Sequence, residues 1–117
     1  YGFIPSTLAD DGDPLDILVY NNTPIDRGTL VECRVIGALD MTDDGKKDYK
    51  ILATPTSHAK NYTCIHRDID STFLEVTTNF FQHYKDLDQK HVEVGEWLHA
   101  EEAREIVLRD TIPLDSL

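Results

Sequence analysis

Four aspartates crowd the entrance to an apolar run near the start of this 117-residue chain: Asp10, Asp11, Asp13 and Asp16, in the order Asp10-Asp11-Gly12-Asp13-Pro14-Leu15-Asp16. A second acidic group, Asp43 and Asp48, lies in Met41-Thr42-Asp43-Asp44-Gly45-Lys46-Lys47-Asp48-Tyr49-Lys50. Carboxylates can serve as hard oxygen ligands, as general bases, or as plain solvated charge. Gly12 permits an unusual φ and Pro14 fixes its own, so the first turn is stiff and holds several carboxylates on one side. If the two groups meet, the cost is large. Two carboxylates about 5 Å apart at an effective dielectric near 20 repel by roughly 3 kcal/mol. Three such pairs cost roughly 10 kcal/mol, which is the size of a typical domain's whole stability, about 5–15 kcal/mol. A cluster like that persists if divalent cations fill it, Mg²⁺ foremost, if some acids are protonated, or if the acids splay into water. On charge alone, solvated turns are the plainer alternative.

Other chemical templates fail. Asp40, Thr42, Asp44 and Gly45 resemble the start of an EF-hand loop, but the twelfth position is Ile51 and the bidentate Glu is missing. The five histidines, His58, His66, His83, His91 and His99, form no HExxH and no Cys-His zinc spacing, and read as surface or helix-face residues. There is no P-loop, no GxGxxG, and no Ser or Cys in a nucleophile elbow.

The elements that must position the acids follow from periodicity. Residues 16–20 read as a short strand, ended by Asn21-Asn22-Thr23-Pro24. A longer strand is predicted over 29–39, with Val31, Cys33, Val35 and Leu39 on one face. Residues 43–48 read as a turn or loop, and 49–54 as a third strand closed by Pro55. Antiparallel pairing of neighbouring strands would bring the acidic loops to one rim. From 71 to 85, Phe73, Val76, Phe80 and Tyr84 recur at helical spacing, with Thr77, Phe81 and Leu87 filling out the face and Asp70 or Ser71 as the cap. Residues 91–97 predict a brief strand, and Ala100, Ala103, Ile106 and Val107 a last helix, with Pro113 at or beyond its end. Several short strands with few helices point to a small β-barrel with flanking helices.

The length fits one domain, residues 1–117. With 22 acidic and 11 basic residues the net charge is −11, which disfavours nucleic acid and anionic membranes as partners and favours cations. No stretch is long and apolar enough to span a bilayer. Cys33 and Cys64 lack a CxxC spacing and are expected as free thiols. Asn21-Asn22-Thr23 and Asn61-Tyr62-Thr63 match the glycosylation tripeptide, a pattern common by chance.

Four motifs in order, Tyr1-Gly2-Phe3-Ile4-Pro5, the Asp11–Asp16 unit, the 41–50 segment and Phe80-Phe81-Gln82-His83-Tyr84-Lys85-Asp86-Leu87, resemble the soluble family I inorganic pyrophosphatases. The resemblance runs from Tyr1 to about Val107. It implies an OB-like five-stranded β-barrel with flanking helices, mainly β with α. It also implies Mg²⁺-dependent hydrolysis of pyrophosphate to two phosphates in a cytoplasmic homo-oligomer. Carried over by motif position, Asp11, Asp16 and Asp48 resemble ligands of a first metal, with Asp16 also touching a second. Asp43 and Asp48 resemble ligands of one that arrives with substrate. Asp13 resembles the acceptor of a proton from the attacking water, and Tyr1, Lys50, Tyr84 and Lys85 resemble groups that hold phosphate oxygens. The family has a further segment ahead of the first motif, supplying barrel strands and active-site Lys, Glu and Arg groups. An incomplete barrel with little activity is therefore expected. The alternative readings are a catalytically inactive divalent-cation-binding module and, less favoured, a nucleic-acid-binding barrel.

Overall fold

A computed structural model describes residues 1–58, 62 and 64–113. Asn61 and Thr63 of the Asn61-Tyr62-Thr63 tripeptide therefore lie outside the described residues. The elements are β1 (Gly2–Phe3), β2 (Asp16–Val19), β3 (Cys33–Asp43), β4 (Lys46–Lys47), β5 (Lys50–Pro55), α1 (Ile65–Asp68), α2 (Ser71–His83), β6 (Val92–His99) and α3 (Ala100–Asp110), with short 3₁₀ turns at Thr56–His58 and Asp86–Asp88.

One sheet carries all six strands, in the order β1-β2-β5-β3-β4, and β6 pairs along β3. The shortest of them include β4, a two-residue return of the β3 hairpin that pairs Asp43 with Lys46. Asp44 and Gly45 both have positive φ, 52° and 81°, as a tight two-residue hairpin turn requires. Among the described residues no pairing joins β1 to β6. The strand expected over 29–39 starts later and runs farther, to Asp43. Its register against β5 shifts between Val35 and Gly37, and against β6 between Leu39 and Met41. Each shift re-aims the side chains that follow, which strict alternation does not anticipate. Ile36, Leu39 and Met41 thus join one core, while Ala38, with Val35 against it, joins the other.

The two cores lie on opposite faces of the sheet. On one, Leu52 and Trp97 pack with Ile65, Ile69, Leu74 and Phe81 from α1, α2 and their junction. On the other, Leu15 and Ile51 pack with Ala103 and Ile106 of α3, at the positions periodicity predicts. Helix α2 buries only part of the expected face: Phe81 lies in the core and Phe73 and Tyr84 pack against it, but Val76 and Phe80 do not. Leu74 and Phe81 are buried, whereas Val76 and Phe80 are 64% and 57% exposed and Leu87 is fully exposed. Leu74 and Phe81 are two turns apart, and Thr78 between them accepts a hydrogen bond from Trp97 Nε1 at 2.9 Å. That polar anchor turns the helix so that Phe81, not Phe80, faces the sheet. Asp70 caps α2 by accepting the Thr72 N–H at 3.2 Å.

Candidate active site

Strand register builds the site. β2 and β5 run parallel, with Asp16 opposite Lys50 and Ile17 opposite Ile51. Parallel neighbours begin at the same end of the sheet, so the segments leading into them, 10–15 and 44–49, lie side by side. The expected antiparallel pairing of β3 with β5 carries Asp43 and Asp48 to this rim, and the parallel β2–β5 pairing brings the 10–15 turn beside them. Side chains alternate along each strand. Ile17 and Ile51 point to the α3 face, so Asp16 and Lys50 point to the α2 face.

The acidic turn is braced from behind. Buried Thr7 donates to Ile4 O at 2.6 Å and accepts the Leu15 N–H at 2.9 Å. Gly12 takes φ +88°. Asp11 Oδ1 accepts the Asp13 N–H at 3.0 Å, and Ala9 N–H donates to Asp13 O at 2.8 Å. Asp48 enters its strand tied to Met41 O through its own N–H at 2.9 Å.

Lys50 is the hub, and it is only 2% exposed. Its ammonium donates to Asp16 Oδ2 at 2.6 Å and to Asp48 Oδ1 and Oδ2 at 3.1 and 3.0 Å. Three rings stand around it, with centroids 5.4 Å (Phe81), 5.7 Å (Tyr1) and 6.0 Å (Tyr84) from Nζ. Burial alone would lower the pKa of this ammonium, but its hydrogen bonds to Asp16, Tyr1 and Asp48 outweigh that, and it is held well above the ordinary lysine value. Burial pushes the Asp48 carboxyl up. Lys50 partly offsets the rise, while the negative charges of Asp16 and Asp11 add to it.

A second ion pair joins Lys85 to Asp43. The Lys85 ammonium lies 5.3 Å from the Tyr84 centroid, so Tyr84 stands between the two lysines. Its hydrogen bond to Asp43 raises the Lys85 pKa.

Of the residues singled out in the sequence, Tyr1, Asp16, Asp48, Lys50 and Tyr84 meet in one cluster, and Asp43 and Lys85 adjoin it through Tyr84. Asp11 is close enough to act on Asp48 electrostatically. Asp13 shares the Asp11 turn and is exposed to solvent. The like charge is balanced by a means the repulsion argument did not include: two lysine ammonium groups sit on three of the acids. The donor set is all carboxylate oxygen and fits a hard divalent cation in type. Among the described residues no three such groups already surround one point closely enough to hold an ion. Phe81 is the member that sequence reasoning placed only as helix filling. Its seven-residue spacing from Leu74 was the available signal.

Similarity to known proteins agrees with this arrangement. A family model described as inorganic pyrophosphatase matches residues 1–112. The chain is 45% identical over 111 residues to an inorganic pyrophosphatase of Caulobacter vibrioides, covering 92% of this chain and 63% of that protein. It is 42% identical over 112 residues to one of Brucella melitensis, covering 92% and 64%. In three dimensions it is similar to the inorganic pyrophosphatase of Helicobacter pylori, with TM-score 0.83 and 32% identity over 92% of this chain and 66% of that one. It is also similar to that of Thermus thermophilus, with TM-score 0.80 and 37% identity over 91% and 63%. The chain thus spans a little under two thirds of the length of the curated relatives it matches.

Proposed function

This chain belongs to the inorganic pyrophosphatase family, and on that premise we propose that its lysine–aspartate cluster serves metal-assisted hydrolysis of pyrophosphate to two phosphates. The observation that carries the reading is Lys50: a buried ammonium fixed by Asp16 and Asp48 at the mouth of the parallel β2–β5 pair. Such a cation is preorganised for a phosphoryl oxygen, and its burial strengthens the attraction. Lys85 adds a second positive charge one ring away. The phenols of Tyr1 and Tyr84 donate hydrogen bonds that orient the same oxygens. Asp13, in the solvent-facing turn, accepts a proton from the attacking water. The water oxygen bonds to one phosphorus as the bridging P–O bond breaks, and the second phosphate leaves with the bridging oxygen. Asp11, Asp16 and Asp48 would hold Mg²⁺, with Asp43 and Asp48 holding a further ion. Bound Mg²⁺ supplies Lewis acidity, neutralising phosphoryl charge and lowering the pKa of water.

Phosphate release from pyrophosphate is the test, with Mg²⁺ present and withheld. Mg²⁺-dependent release supports the reading. Uptake of Mg²⁺ with no release would make the chain a divalent-cation-binding module instead. Homo-oligomerisation belongs to the same proposal, supported by the exposure of Leu30, Leu87 and Leu108, and light scattering measures it. Among the described residues no helix is long and apolar enough to cross a membrane. The free thiols Cys33 and Cys64 fit a reducing compartment such as the cytoplasm.

A further inference from the structure

We propose that Phe81 is a positioning residue for Lys50, its ring forming the wall that holds the ammonium against Asp16 and Asp48. Of the three rings around Lys50, that of Phe81 is nearest, with its centroid 5.4 Å from Nζ, and it is 1% exposed. Tyr1 and Tyr84 carry hydroxyls that offer the lysine alternative contacts. Phe81 has none, so its ring can attract the cation only through its π face. The ring cannot drift. It lies edge-to-face with Phe80 (centroids 5.1 Å apart, 81° between planes) and with Tyr84 (5.4 Å, 80°). It is keyed into the core beside Leu39, Leu52 and Leu74. Asp16 and Asp48 supply the hydrogen-bond acceptors, and the ring limits where a flexible four-carbon stem can place its charge. A lysine held this way keeps its position when an anion arrives, so less of its motion must be frozen on binding. That consequence rests on the pyrophosphate reading. The contact itself does not.

The test is a fluorination series at position 81, because fluorine drains the negative face of the ring while nearly keeping its shape. Phe81 is replaced by mono-, di- and trifluorophenylalanine in the parent and in Lys50→Gln, which keeps a hydrogen-bond donor but no charge. Urea unfolding is measured without metal or anion. The folding equilibrium constant is expected to fall stepwise in the parent, by about fivefold in total, and to stay flat in Lys50→Gln. Equal losses in both backgrounds, or no loss in either, would overturn the proposal. If Lys50→Gln does not fold, Lys50→Met is the neutral background. Affinity for methylenediphosphonate with Mg²⁺ is then compared between the parent and Phe81→Leu. A loss of about tenfold is expected, and equal affinity would remove the positioning role. A parent that binds no analogue would overturn the pyrophosphate reading, while the unfolding series still decides whether Phe81 holds Lys50.

Discussion

Lys50→Met removes the hub of the site and keeps its bulk. Hydrogen bonds from the shared Lys50 nitrogen place the Asp16 and Asp48 oxygens less than about 6 Å apart, where two carboxylates repel by roughly 3 kcal/mol at an effective dielectric near 20. Removing one partner of a buried ion pair costs about 3–5 kcal/mol, and the partial exposure of Asp16 puts this case at the low end, near 3 kcal/mol. The pH dependence has a definite sign. In the parent the Lys50 pKa lies above its unfolded value of 10.5, so its contribution is complete below that value and is lost only as pH rises through the folded pKa. Stability from this group is therefore flat from mildly acidic to mildly basic pH. In the variant, Asp48 loses the charge that restrained its upward shift. The folded variant then binds a proton more readily still than the folded parent, so its stability rises more steeply as pH falls. Urea unfolding at pH 7.5 and pH 4.5, without divalent ions, is expected to show a large deficit at the higher pH and a much smaller one at the lower. A deficit under about 1 kcal/mol at pH 7.5, or one equal at both pH values, would refute the hub role.

Asp13→Asn should lower Mg²⁺-dependent phosphate release by about 10²–10⁴-fold and leave Mg²⁺ affinity unchanged, because the role proposed for it is to accept a proton. A Cβ at Gly37 would lie 2.9 Å from Leu98 O and 2.6 Å from Ile65 Cδ1, so Gly37→Ala should cost about 1–3 kcal/mol in urea unfolding. Asp70→Ala removes the cap of α2 and should cost about 1 kcal/mol by the same assay.

The sequence made the acids conspicuous because charge beside an apolar strand is rare enough to need a reason. It also placed α3 correctly, since Ala103, Ile106 and Val107 sit on a stripe with no competitor. The face of α2 was legible only in part, since Phe73, Phe81 and Tyr84 meet the core and Val76 and Phe80 do not. Phe73, Val76, Phe80 and Tyr84 make as good a stripe as Leu74 and Phe81, and the Trp97–Thr78 hydrogen bond, a tertiary contact, decides between them. The ends of β3 were hidden for a related reason, because its two register shifts break the alternation that defines a strand on paper. In the site, the residue types were readable and their pairing was not. Nothing in the spacing of Asp16 and Lys50, 34 residues apart, foretells that parallel strands set them opposite each other. The Lys50–Asp16 pair follows from that register.

Calorimetric titration of methylenediphosphonate into the protein, with and without Mg²⁺, tests the central claim most directly. Heat of anion binding that appears only with Mg²⁺, and that disappears in Asp16→Asn, is the predicted result. Anion binding indifferent to Mg²⁺, or Mg²⁺ binding with no linked uptake of the anion, would contradict it.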